Sequence, residues 1–137
     1  MCLTTTNPVV RVTRRKRRFW KVLVYQPAYE MYCTPFIGVG VRSGELETQP
    51  RDDFDLSSYN FHGTKYYEIE GGAYHLFRTW IGAQTFKKRM EGKNMRSMKV
   101  VRAIVPKGTK YMTGTYNGLR SLAVKRVVYK FKENRGW

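Results

Sequence analysis

The chain has 137 residues, about one domain's worth, and its 26 Lys and Arg against 10 Asp and Glu give a formal charge of +16. Apolar residues at 42% and aromatics at 15% suffice for a packed core and exclude wholesale disorder. No apolar run reaches membrane-spanning length, and the first residues lack the apolar stretch of a signal peptide, so a cytoplasmic protein without membrane association is expected. Cys2 and Cys33 are too few for a disulfide framework.

In chain order, residues 1–10 read as an extended arm, and Arg11, Arg14, Arg15, Lys16, Arg17 and Arg18 follow as a basic run. Residues 19–25, Phe-Trp-Lys-Val-Leu-Val-Tyr, have the aromatic and β-branched content of a strand that Pro27 ends. Residues 36–41 read as a second strand weakened by glycine, and Ser43-Gly44 as a turn. The polar, acidic segment 45–63 shows little periodicity and is expected to be a long loop. Residues 65–70 alternate as a strand, Gly71-Gly72 breaks it, and residues 73–77 form another.

Thr79 is placed to cap a helix from Trp80 to about Met90, with Trp80, Ala83, Phe86 and Met90 near one face and Gly92 at the C′ position. Strands are expected over 98–105, 110–116 and 122–131. Pro106-Lys107-Gly108-Thr109 turns between the first two, and Asn117-Gly118 has the signature of a type I′ hairpin. The fold expected is α+β: a mainly antiparallel sheet of six or seven strands with one packed helix. It divides into a basic N-terminal arm, 1–18, and a single domain, 19–137.

Charge is segregated along the chain: +7 over residues 1–29, −5 over 30–70 and +14 over 71–137. Such polarity favours a polyanionic partner, a nucleic acid or a nucleotide, and the alternative is a charge that serves solubility or faces an acidic protein. The candidate phosphate-binding residues are Arg14, Arg15, Lys16, Arg17, Arg18, Trp20, Lys87, Lys88, Arg89, Lys107, Thr109, Lys110 and Arg126. In the first group, guanidinium groups suit phosphate and Trp20 suits base stacking, although a solvated arm needs no ligand. Around Lys107 the glycine turn exposes backbone N–H groups beside two lysines and a hydroxyl, without the spacing of a P-loop, and a plain hairpin connector, which needs no ligand, is the favoured reading of it.

Tyr25 and His75 are candidates for a ligand pocket, His75 alternatively being an ordinary buried histidine. Glu68 and Glu70 share a strand face about 6–7 Å apart, a separation usable for acid–base work, although on an exposed strand face plain solvation or pairing with neighbouring lysines is the commoner case. Cys2 would head the chain after loss of Met1 and offers an N-terminal thiol, but with no identifiable oxyanion hole, simple burial or an inert terminus is the favoured reading. Cys2, Cys33, His62 and His75 have no compact spacing, so no metal and no other cofactor is expected.

Met1-Cys2-Leu3, Val22-Leu23-Val24-Tyr25, Thr34-Pro35-Phe36, residues 72–77, residues 100–111 and Val127-Val128-Tyr129 together resemble a pattern in small uncharacterised proteins of bacteriophages and mobile elements. That resemblance spans both halves of the chain and leaves the acidic segment unmatched. It implies a phage-associated, non-enzymatic binding protein acting in the host cytoplasm on a nucleic acid, a nucleotide signal or a host nucleoprotein complex of antiviral defence, with oligomers possible. A weaker similarity is to ADP-ribosyltransferases, which hold NAD with a strand ending in an aromatic-arginine step and a late Glu-x-Glu. Here Gln26 follows Tyr25 where that pattern has arginine, and Glu68-Ile69-Glu70 comes early. The similarity implies an NAD-using enzyme or an inactive relative.

Overall fold

A computed structural model describes residues 3–35, 39–69, 71–94 and 97–132. The strands are β1 (Leu3–Thr5), β2 (Arg11–Val12), β3 (Arg17–Gln26), β4 (Met31–Cys33), β5 (Leu46–Thr48), β6 (Leu56–Phe61), β7 (Thr64–Ile69), β8 (Tyr74–Phe77), β9 (Met98–Val105), β10 (Lys110–Tyr116), β11 (Leu119–Val124) and β12 (Arg126–Lys130), and the helix is α1 (Trp80–Asn94). All pair antiparallel in one sheet of order β5-β12-β9-β3-β8-β11-β10-β1-β7-β6, with β4 beside β3 and β2 beside β10. The architecture is broadly α+β, but twelve strands replace the six or seven expected. Four of the additional pairings, β1, β2, β4 and β5, are two or three residues long, too short to carry an alternating pattern.

Segment 45–63 is likewise not a loop. Residues 46–48 pair with β12, and β6 pairs with β7 through the two-residue turn His62-Gly63, whose φ values are 50° and 78°. Every residue of β6 is exposed, so no buried stripe marked it in the sequence. The expected strand over 36–41 falls largely on residues 36–38, outside the described residues; Gly40 makes a single bridge to Cys33.

The sheet curls on itself. β12 pairs with β9, β9 with β3, β3 with β8 and β8 with β11. β11 then runs on into β12 through a bend at Lys125, so that chain continuity, with no β11–β12 ladder among the described residues, completes the ring. Inside it lie Phe19, Leu23, Val101, Val105, Leu122, Val124, Val127 and Tyr129, all buried, each contributing about 1.5–3 kcal/mol by leaving water. Beyond the ring, β10, β1, β7 and β6 extend the same sheet outward, and its inner face becomes an open surface.

The helix covers the opposite face. Ala83 and Phe86 pack on Val22, Val24, Phe77 and Met98, with Trp20 and Met90 at the margin. Thr79 caps it as expected: the Gly82 N–H donates to the Thr79 hydroxyl at 3.0 Å. It does not stop at Gly92 but continues to Asn94. The Asn117-Gly118 turn has positive φ at both residues, 47° and 82°, as a type I′ hairpin requires.

Candidate nucleic acid interface

Alternation along each strand decides which side chains reach the inner face. Tyr111, Thr113 and Thr115 of β10 stand opposite Val124, Leu122 and Arg120 of β11, and Thr4 stands opposite Thr115 and Glu68. The buried interior of the ring therefore passes along one sheet face into threonines, then arginine and tyrosine. On β3 the same alternation sends Arg17 and Phe19 to this side, with the Arg17 guanidinium 5.7 Å from the Phe19 ring centre, and sends Arg18 and Trp20 to the helix side.

Two adjoining cavities occupy this face. The larger, about 560 Å³, lies between the segment 9–15 and the β10–β11 surface, with Arg11, Arg14, Arg15, Arg17 and Arg78 around it and Phe19, Leu122 and Val124 beneath. The smaller, about 350 Å³, has Arg78 and Arg120 with Thr4, Thr113 and Tyr66. Arg78 and Thr113 line both, so the two make one groove. Among the described residues, six arginines and no carboxylate line it. Among the described residues none of the six takes part in an ion pair; the pairs are Arg51–Asp53, Lys87–Glu91 and Lys110–Asp52, all elsewhere.

The segment carrying the basic run is fixed rather than left as a loose arm. Arg11 and Val12 pair with Tyr111 and Lys110. Thr13 then clamps the Pro106–Thr109 turn: its N–H donates to the Thr109 carbonyl (2.9 Å), its hydroxyl donates to the Pro106 carbonyl (2.7 Å), and it accepts from the Gly108 N–H on its carbonyl (2.8 Å) and from the Thr109 N–H on its hydroxyl (2.9 Å). The Thr109 hydroxyl donates to the Pro106 carbonyl. The amides of Gly108 and Thr109 are thus already bonded within the protein. Arg126 donates to the Lys107 carbonyl at 2.9 Å, and the Lys110 ammonium lies 3.5 Å from Asp52.

Of the residues singled out in the sequence, the groove gathers Arg14, Arg15 and Arg17. Lys16 is exposed outside its lining, Arg18 is exposed on the helix side of β3, Trp20 is under the helix, and Lys87, Lys88 and Arg89 belong to α1 on the opposite side, where Lys87 meets Glu91 at 3.7 Å and Arg89 donates to the Asn117 carbonyl. Tyr25 packs on Tyr32 with ring centres 5.3 Å apart. His75 is buried opposite Ala123, on the face away from the groove. Glu68 shares the groove face beside Thr4 but lines neither cavity; Glu70 and Cys2 lie outside the described residues. Among the described residues, no three of His, Cys, Asp and Glu cluster as metal ligands.

Arg78, Arg120 and Tyr66 were not picked out from the sequence. Arg120 carried a faint signal, since it is a charged residue near the start of a strand whose alternate positions are apolar. Arg78 carried none: it follows Phe77 directly, and its N–H donates to the Arg120 carbonyl at 3.1 Å, continuing the β8–β11 pairing. Lys21 is a further buried cation, 6% exposed, on the inner face between Phe19 and Leu23; its ammonium donates to the His75 carbonyl at 2.9 Å, and burial lowers its pKa to about 8.

No protein-family model matches the chain, and neither does any curated protein or solved structure. Among the described residues, no helix is long and apolar enough to cross a membrane.

Proposed function

We propose that the protein is a nucleic-acid-binding protein that holds phosphates in the arginine groove and carries out no chemistry on them. The observation that carries this reading is the convergence of Arg11, Arg14, Arg15, Arg17, Arg78 and Arg120 on one groove that, among the described residues, no carboxylate lines. Guanidinium groups with no ion pair among the described residues are free to make bidentate bonds to phosphate, and displacement of condensed counterions from a polyanion supplies the affinity. The groove joins two cavities of about 560 and 350 Å³, with arginines around both, and this repeated arrangement favours a polymer with several phosphates over a nucleotide signal.

Binding of a labelled oligonucleotide should weaken steeply with salt, the slope of log K against log salt growing by about 0.7–0.9 for each phosphate engaged. Arg78→Glu with Arg120→Glu should lower affinity by at least about tenfold for all sequences alike and flatten that slope. Undiminished binding by this double variant would remove the groove from the reading. The enzymatic alternative rests on Glu68: NAD turnover by the protein, lost in Glu68→Gln, would replace binding with catalysis.

A further inference from the structure

We infer that the groove's occupant is single-stranded, its unpaired bases stacking on an aromatic platform presented by the β6–β7 hairpin. This inference rests on the groove being the phosphate site. The groove does not end at Arg120: Tyr66 of β7 lines the smaller cavity, and the sheet carries the same face one strand further. Tyr59 of β6 stands directly across from Tyr66, the rings stacked with centres 5.5 Å apart and planes inclined by 18°. Phe61, two residues on, is on the same face as Tyr59 by strand alternation. Tyr59 is 43% exposed and Phe61 58%.

Among the described residues, the ring contacts of this pair stay within the hairpin: Tyr59 with Tyr66, and Phe61 edge-on with the neighbouring His62, ring centres 4.1 Å apart. β6 ends the strand order and all six of its residues are exposed. The hydrophobic clusters beneath this part of the sheet are built from Leu3, Ile69, Met112 and Ala123 on its other face. Exposed aromatic rings continuing a lane of arginines match the two halves of an unpaired strand, phosphates for the cations and base faces for the rings. In a duplex the base faces are already stacked on one another, so the platform has nothing to bind there. A polyphosphate or acidic peptide would use the arginines and ignore the tyrosines.

The test compares three probes at matched salt: a fluorescein-labelled oligothymidylate of about 15 nucleotides, the corresponding duplex, and inorganic polyphosphate as competitor. Wild-type protein should bind the single strand at least about tenfold more tightly than the duplex. Tyr59→Ala combined with Phe61→Ala should cost about tenfold or more on the single strand while leaving duplex and polyphosphate affinity unchanged. Tyr59→Trp, which keeps a stacking face, should retain binding. These residues are exposed, so folding should survive, and circular dichroism of the variants checks it.

Equal affinity for duplex and single strand, or loss of polyphosphate binding in parallel with oligothymidylate, would overturn the platform while leaving the groove intact. So would an unchanged single-strand affinity in the alanine pair. Failure of the wild-type protein to bind any of the three probes would instead remove the phosphate site itself.

Discussion

Thr13 and Thr109 bind each other through main chain and side chain at once: the Thr13 N–H donates to the Thr109 carbonyl, and the Thr109 N–H donates to the Thr13 hydroxyl, each at 2.9 Å. They are 96 residues apart, and their junction ties the segment bearing Arg11, Arg14 and Arg15 to the turn after β9. Both residues are buried, 8% and 1% exposed, so an orphaned amide there has no water to replace its partner.

Thr13→Val keeps the branched shape and removes the hydroxyl that accepts from Thr109 and donates to Pro106. Stability should fall by about 1–3 kcal/mol, read from urea denaturation, because the Thr109 amide is left buried without its partner. Oligonucleotide affinity measured under conditions where the variant is fully folded should fall as well, since Arg14 and Arg15 lose their anchor.

The buried Lys21 gives a pH signature. Its folded pKa, lowered by burial to about 8, lies below its ordinary 10.5, so between those values the unfolded chain binds more protons and stability rises with pH. Below about pH 8 both states carry the charge, and its burial costs about 3 kcal/mol. Lys21→Met should therefore be more stable than wild type at pH 7 by about 1–3 kcal/mol. The difference between the two proteins should shrink as pH climbs from 8 towards 10.5. A constant difference in denaturation midpoints across that range would contradict this account.

At Gly114 the two strands β1 and β10 approach so closely that a Cβ would stand 2.8 Å from the Thr4 carbonyl oxygen and 3.3 Å from the Leu3 Cβ. Gly114→Ala should push β1 outward, at a cost of about 1–3 kcal/mol. Because Gly114 lines the smaller cavity, the same variant should weaken oligonucleotide binding more than its loss of stability alone implies, and titration well below the unfolding temperature separates the two effects.

Tyr129 is fully buried inside the ring, and among the described residues its hydroxyl has no hydrogen-bond partner. Burial, with Tyr74 and Glu47 nearby, pushes its pKa up, so it remains protonated. Tyr129→Phe keeps the ring and removes a desolvated hydroxyl. The variant should be as stable as wild type or more stable by up to about 2 kcal/mol in thermal unfolding. A clear loss of stability would show that the hydroxyl is hydrogen-bonded in solution.

Features held within a few adjacent residues were legible from the amino acids alone. The Thr79 cap, the apolar spacing of Ala83 and Phe86, the Asn117-Gly118 turn and the aromatic and β-branched content of residues 19–25 each express a local rule of backbone geometry, and each stands where that rule puts it. The net charge likewise follows from composition. The Gly92 stop did not hold, because packing of α1 on β3 and β9 outweighs one unfavourable residue. β6 was hidden because its apolar residues are exposed, leaving no buried period to detect.

The groove belongs to a different class of information. Its arginines come from three stretches of chain, 11–17, 78 and 120, and they meet because β10 pairs with both β2 and β11 while β8 pairs with β11. Composition sets how much positive charge there is and the basic run shows where part of it lies, but neither says which side of a strand faces which cavity. A shift of one residue in the β10–β11 register would turn Arg120 to the opposite face, and one in the β2–β10 register would do the same to Arg11. That choice is made by long-range strand pairing and by burial of the apolar ring interior, which select one register among many that the local sequence allows.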